Sequence, residues 1–482
     1  MWLLNAGVNL AIENNANAGF FGTGVLNSLI QLYGHIFAST SGVSFTEESH
    51  GNAIYIGADG TVFSSISAIE MFGDSNSVVN DGSIDSWAGV GVSLEGDFNV
   101  ITNRGDMTGF LAAATVSGHG NTIENYGTMS ISSFSPANNP EPAAIHLASA
   151  ADTQNFVKNF GSITSLYYAI LGGDGNEYVE NLGQISGKIA LGAGNDVLDN
   201  SDGVIRGDID LGDGDDFYLA GTNEYLNAIV GGAGNDTYAL QGRVRQIVED
   251  VGGGTEDRVF IDVTATLTQN VEILFLYGSA DINGTGNALD NTITGTHGDN
   301  RLRGRGGNDR LLGAAGEDIL HGGTGIDTAA YDFSDEGVSI NLGKKTASGG
   351  HAEGDTFISI ENLFGSEFAD TLIGDTGFNQ IYGGLGDDTI DGGRGNDMLV
   401  GGDGNDKFIF ARKTGQDTVE DFTLSGINSD RIDVHSFKPK NFADLQNHMA
   451  DNGANVEITY GKDVLTLVGI HKADLTSDHF IL

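Results

Sequence analysis

The sequence predicts an all-β protein. It reads as a right-handed parallel β-helix with coils of about 22 residues, running into a parallel β-roll of nine-residue phrases and closed by a small C-terminal β cap. Three observations carry that expectation. A phrase of the form apolar, any, Asn, any, Gly, any, apolar recurs through residues 78–185. A second phrase, built on glycine and aspartate, recurs in strict register through 295–409. The 74 glycines and four prolines follow no Gly-X-Y triplet, which excludes a collagen-like chain.

The first phrase appears as VVNDGSI (78–84), ITNRGDM (101–107), IENYGTM (123–129), VKNFGSI (157–163) and VENLGQI (179–185). Its glycines are Gly82, Gly105, Gly127, Gly161 and Gly183, spaced 23, 22, 34 and 22. Short β-prone pieces at such a period fit one coil of a parallel solenoid. Asn tolerates and Gly freely adopts the left-handed turn conformation. Asparagine at one place in successive coils can stack as an amide ladder, with the apolar residues at fixed offsets stacking inside. The single long spacing contains SPANNPEP (135–142), with three of the four prolines, and predicts a loop thrown out from one coil. The expected division is an N-terminal cap at 1–50, Asn-x-Gly coils at 51–237, a β-roll with spacers at 238–410 and a C-terminal cap at 411–482.

The second phrase stands clearest as GGLGDDTID-GGRGNDMLV-GGDGND (383–406), and again as GRGGNDRLL, GAAGEDILH and GGTGIDTAA from Gly304. Two phrases make a coil of eighteen residues, so alternate phrases fall on one edge. Asp309 and Asp327 then lie about one strand spacing apart, roughly 4.8 Å. Asp388 and Asp406 do the same, with Asp318 and Asp397 on the opposite edges. Looser phrases end on Asp196, Asp216 and Asp236. Leu311, Leu320, Ile390 and Leu399 are expected to face inward, too few for a thick core. A column of carboxylates repels itself when bare and offers oxygen ligands to a hard cation, which favours Ca²⁺ over the more compact Mg²⁺. These nine aspartates are the candidate metal ligands. Asn300 and Asn379 replace the aspartate, and Leu289 and Phe368 the third glycine, so those edges are expected to bind weakly or not at all.

The phrases resemble the G-G-x-G-x-D-x-apolar-x nonapeptides of the repeats-in-toxin (RTX) family, the haemolysin-type calcium-binding repeats. The stretches 238–294 and 331–375 look like spacers of such proteins. Beyond Phe408, FIF (408–410), DTVEDF (417–422) and DRIDV (430–434) are strand candidates, and Phe442, Leu445 and Met449 fall on one helical face. VEITYGKDVLTLVGI (456–470) reads as a hairpin turning at 461–463. This end is similar to the cap and export signal of the serralysin group. The resemblance implies secretion by a type I machinery that reads the C-terminus, and folding on extracellular Ca²⁺.

Composition agrees with that reading. The chain has 66 acidic against 22 basic side chains, a formal charge of −44, which disfavours nucleic acid and anionic lipid as partners. It has no cysteine, hence no disulfide, thiolate metal site or Cys nucleophile. The stretch MWLLNAGVNLAIENN has no basic n-region and only a four-residue apolar run, so it does not read as a secretory signal. No apolar run reaches the length of a membrane span.

Motifs separate the enzyme classes. No His is followed by Glu, which disfavours a zinc protease, and no G-x-S-x-G elbow marks a lipase. A lyase or uronate epimerase acting on polysaccharide is the alternative, with Arg104, His119, Tyr126, His146, Lys158 and Tyr167 as its candidate side chains. Only two basic residues in the first 187 make a poor cleft for a polyanion. The function expected is therefore a secreted, non-enzymatic adhesion, matrix, surface-layer or glycan-binding protein. Its expected partners are calcium, polysaccharide or a cell surface, and further copies of itself.

Overall fold

The computed structural model describes residues 2–4, 9–12, 19–46, 49–132, 142–222, 228–243, 246–425 and 429–482. It is all-β, and its strands form two compact units, Met1–Arg258 and Val259–Leu482, each a parallel solenoid.

In the first unit each coil contributes strands to stacked faces. On one face Ala53–Ile56, Ser77–Asn80, Val100–Asn103, Thr122–Asn125, Gln154–Asn159, Asn176–Asn181 and Val197–Asn200 pair in parallel. Their register puts Ile54, Val78, Ile101, Ile123, Val157, Val179 and Leu198 in one buried column. Two more columns close the core: Val62, Ile84, Met107, Met129, Ile163 and Ile185, and then Val92, Ala114, Ile145, Ile170, Ile189 and Ile209. Alternation of buried and half-buried residues along each short strand follows from the two-residue period of the pleat.

The asparagines of the Asn-x-Gly phrase form the expected ladder. Nδ2 of Asn80, Asn103, Asn125, Asn159 and Asn181 donates to Oδ1 of the next asparagine, ending on Asn200, at 2.8, 2.8, 2.8, 2.7 and 2.5 Å. All six are buried. The Asn125–Asn159 rung spans the 34-residue spacing without breaking register, so the extra residues fall in sequence between Thr128–Ile131 and Ala143–Ala148. Of the predicted 135–142 loop, all but Pro142 lie outside the described residues.

The glycines of this phrase serve a different purpose from the one expected. Gly82, Gly105, Gly127, Gly161 and Gly183 do not have positive φ. A Cβ on Gly105, Gly127, Gly161 or Gly183 would instead lie 2.0–2.2 Å from the carbonyl oxygen of the preceding glycine in the column. Close approach of stacked corners excludes a side chain there.

The second unit has thinner coils. Ile273–Leu276, Thr292–Thr294, Arg310–Leu312, Thr328–Ala330, Asn362–Phe364, Gln380–Leu385, Met398–Asp403 and Gln416–Val419 stack in parallel. They bury Leu274, Ile293, Leu311, Ala329, Leu363, Ile381, Leu399 and Val419. Facing columns include Leu302, Leu320 and Phe357, and Ile340, Leu372, Ile390, Phe408 and Ile432. Leu311, Leu320, Ile390 and Leu399 therefore point inward as expected. At the end, Asn455–Tyr460 and Asp463–Leu467 form the expected hairpin, while Phe480–Ile481 adds to Arg431–Asp433.

The helix expected through Met449 is shorter. It spans Phe442–Gln446 on an Asn441 cap, and Met449 opens an antiparallel strand opposite Ile458. Strand pairing with the hairpin gives Met449 its buried site, so the helical spacing of three apolar residues does not extend the helix.

The ladder yields a prediction. Asn125→Asp keeps the shape but replaces two N–H groups, which reach Asn159 Oδ1, Gly127 O and Ser162 O, with an acceptor. Urea unfolding of the full chain should show the coils carrying this rung destabilised by about 3 kcal/mol at neutral pH. Added calcium should not restore them.

Candidate metal centre

A second kind of rung runs along another corner. There, a backbone N–H of one coil donates to a side-chain oxygen of the next. In the first unit Ser28, Asn52, Asn76, Asn99 and Asn121 donate in turn to Oδ1 of Asn52, Asn76, Asn99, Asn121 and Asn155 at 2.8–3.0 Å. The chemistry then changes. Glu177, Asp196, Asp216 and Asp236 donate to Oδ1 of Asp196, Asp216, Asp236 and Asp257 at 2.6–2.9 Å. Carboxylates occupy the place that amides occupy nearer the N-terminus.

The second unit repeats the arrangement on its edges. Asn291 donates to Asp309, and Asp309 to Asp327, at 2.9 Å each. Asn300 donates to Asp318 and Asp318 to Asp355, at 2.7 and 2.8 Å. Asp370, Asp388 and Asp406 lead to Asp430, and Asn379 and Asp397 lead to Asp417. The expected pairs Asp309–Asp327 and Asp388–Asp406 are thus neighbours in a column. Asp318 and Asp397 belong to other columns.

The two chemistries differ in the second side-chain atom. At four of the amide positions Nδ2 donates to a carbonyl, Asn52 to Val25, Asn76 to Ser49, Asn121 to Ser117 and Asn155 to Gly118, while at Asn99 the buried Nδ2 meets no acceptor. At all nine predicted aspartates Oδ2 is buried and meets no donor. Glu177 Oε2 is in the same condition. The first glycine of each phrase makes room for this oxygen. A Cβ on Gly304, Gly313, Gly322, Gly383, Gly392 or Gly401 would lie 1.8–2.5 Å from Oδ2 of Asp309, Asp318, Asp327, Asp388, Asp397 or Asp406. The later glycines supply backbone geometry, as at Gly325 and Gly395, with φ of 139° and 146°.

Burial dominates the electrostatics. It pushes the carboxyls of Asp216, Asp318 and Asp388 up to about 8, and those of Asp309, Asp397 and Asp406 to about 7, from an ordinary 3.8. Asp236 is pushed to about 6, and burial also raises Asp196, Asp327 and Glu177. Neighbouring carboxylates in the columns add to most of these shifts. A buried anionic oxygen without a donor needs a proton or a cation, and oxygen-only donor sets suit Ca²⁺.

A family model described as the RTX calcium-binding nonapeptide repeat matches four times, at residues 285–320, 294–329, 364–399 and 395–409. The chain carries RTX calcium-binding repeats. The RTX repeats overlap two of the three stretches in which the carboxylate columns occur, leaving out Asp355, Asp417 and Asp430; the third, Glu177–Asp257, lies outside the match. No curated protein matches. Among solved structures, the extracellular lipase LipA from Serratia marcescens aligns at 17% identity and a TM-score of 0.20 over 47% of this chain. The chain spans 45% of that lipase.

Positions expected to be weak are self-satisfied. Asn300 accepts from the Thr296 N–H at 2.6 Å and donates to Ile282 O at 2.6 Å, and Asn379 makes the equivalent bonds with Asp375 and Glu361. Column members absent from the sequence prediction are Glu177, Asp257, Asp355, Asp370, Asp417 and Asp430. Most share the pattern Asp, any residue, apolar, as in DRV (257–259), DTV (417–419) and DRI (430–432), a signal independent of glycine.

Four of the six candidate side chains of the enzyme alternative take part in coil-to-coil contacts. Arg104 pairs with Asp81 at 3.1 Å and Lys158 with Glu180 at 3.3 Å. Tyr126 lies flat on Phe160 with centroids 4.6 Å apart, and His119 Nδ1 accepts from the Gln154 N–H. His146 is half-buried, its pKa lowered by burial, and Tyr167 is exposed at a corner.

The raised carboxyls predict opposite pH responses with and without metal. Without calcium the folded chain holds protons that the unfolded chain releases above about pH 4. Stability from these groups is fully present below the ordinary 3.8 and is lost as pH rises through about 8. Calcium competes with the same protons, so its affinity rises over that window. Circular dichroism in chelator should show more structure at pH 5 than at pH 8, and millimolar calcium should abolish or reverse the difference. A single carboxylate should behave likewise: Asp388→Asn should lower the calcium count by mass spectrometry while stabilising the chelated form at pH 8.

Proposed function

We propose that this is a secreted, calcium-dependent RTX protein that acts by binding rather than by catalysis. In this reading Asp309, Asp318, Asp327, Asp388, Asp397, Asp406, Asp236, Asp216 and Asp196 are calcium ligands. A type I machinery exports the open chain by a signal in 411–482, and millimolar extracellular calcium closes the coils. The head coils at 51–237 then present rigid faces and the 135–142 loop to polysaccharide, a cell surface or further copies of the chain, as an adhesin or matrix component.

The observation that carries the calcium half is the buried, donorless Oδ2 at every one of the nine aspartates. The binding half is supported by the use of Arg104, Lys158 and Tyr126 as links between coils. A side chain held in an ion pair or flat stack is poorly placed to act as base or electrophile.

Purified full-length chain should bind an acidic exopolysaccharide or whole cells in calcium, release in chelator, and lose retention when 135–142 is deleted. Turnover of the polysaccharide, read as new unsaturated or epimerised uronate, would overturn the non-enzymatic half. A chain that stays ordered in chelator and takes up no calcium would overturn the other.

A further inference from the structure

The column of the first unit ends in a cluster that the RTX repeats do not explain. Asp236, Glu249 and Asp257 each place one carboxylate oxygen within 4.8 Å of the others, and all three are buried. They lie outside the four matched repeats, and Glu249 belongs to no glycine-aspartate phrase. Asp236 is fully buried and its Oδ2 meets no donor. That oxygen faces into the cluster: the point where a Cβ on Gly231 would lie is 2.4 Å from Asp236 Oδ2 and 2.5 Å from Glu249 Oε1. Only glycine leaves this space open.

Each member is held in place. Asp257 Oδ1 accepts from the Asp236 N–H at 2.7 Å. Glu249 Oε1 accepts from the Tyr238 hydroxyl, and Oε2 from the Gly232 N–H at 3.3 Å. The like charges of Asp257 and Asp236 are among those that act on Glu249. Three anions are thus fixed around one space, where an aspartate column by itself brings one donorless oxygen per coil.

We propose that Asp236, Glu249 and Asp257 form a three-carboxylate calcium site that fills before the sites of the RTX repeats. The proposal rests on the calcium reading of Asp236 and adds Glu249 and Asp257 to it. An ion with metal–oxygen distances near 2.4 Å reaches ligands up to about 4.8 Å apart, whereas Mg²⁺ at about 2.1 Å reaches only about 4.2 Å. Affinity in oxygen sites depends on the number of charged ligands, and this cluster gathers three carboxylates around one space.

The test uses full-length, chelator-treated chain dialysed against ~1 µM free calcium, below the ~10⁻⁴–10⁻³ M range of extracellular-type sites. Wild type and the double variant Asp388→Asn, Asp406→Asn should each retain one ion. Glu249→Gln and Asp257→Asn should retain none, with at least tenfold weaker first-site affinity. Wild type without a retained ion, Glu249→Gln with one, or loss of the ion in the double variant overturns the proposal. Failure of the RTX reading shows separately, as an unchanged calcium count in the double variant at millimolar calcium. Terbium gives a readout that does not depend on altering a ligand. Because the Tyr238 hydroxyl bonds Glu249, tyrosine-excited emission from the first bound Tb³⁺ should fall several-fold in Tyr238→Phe at unchanged stoichiometry, and unchanged emission overturns the assignment.

Discussion

At one corner of nearly every described coil, a backbone N–H points along the stack instead of sideways into a strand partner. A buried N–H must be met, and here it is met by a side-chain oxygen from the next coil. Asparagine and aspartate both supply that oxygen, at the same distance and in the same place. The other atom on the side chain decides whether the coil can stand alone. The amide nitrogen of Asn76 finds Ser49 O and Gly73 O, so the coil is complete in itself. The second oxygen of Asp216 finds no donor, so the coil is complete only with a positive charge added.

The magnitude shows why this matters. A buried acceptor left unmet costs about 1–3 kcal/mol, and more when it is charged. Nine such oxygens together rival or exceed the ~5–15 kcal/mol by which whole domains are stable. The roll coils have little apolar burial to set against this. A coil such as the one holding Leu311 and Leu320 encloses two facing columns, whereas the Asn-x-Gly coils close three. The coils that most need an ion are therefore the ones with the least core.

Much of this is legible in the residues because solenoids repeat their chemistry at fixed offsets. The Asn80–Asn200 ladder can be read from spacing alone, since an amide stacked on its own copy needs only constant register. The nine aspartates can be read because glycine marks them. Asp257, Asp417 and Asp430 are not legible in that way: their corners need the rung but not the glycine that makes room for a phrase's Oδ2. Glu249 carries no periodic signal, because it reaches the Asp236 corner from just beyond a short strand of its own, Ile247–Val248, and through a longer side chain. The role of Gly105 is hidden because a corner glycine has two physical causes, positive φ and close approach, and a sequence does not distinguish them. Met449 departs from the helix expected for it because helical spacing over three apolar residues is weaker than pairing with a complete hairpin.

The change from amide to carboxylate falls within one compact unit, between Asn155 and Glu177, and not at the boundary after Arg258. Contacts and chemistry therefore divide this chain differently. In a stack where each coil touches only its neighbours, stability is close to a sum of coil and interface contributions. Coils up to Asn155 contribute their share whether or not a cation is present, and those from Glu177 onward contribute it only when the carboxylates are neutralised. On the calcium reading proposed above, the ion sets how far order extends beyond the Asn coils of the first unit. The Asn coils, already closed by amide rungs, offer the carboxylate coils a finished edge of backbone N–H and C=O groups on which to build once the ion arrives.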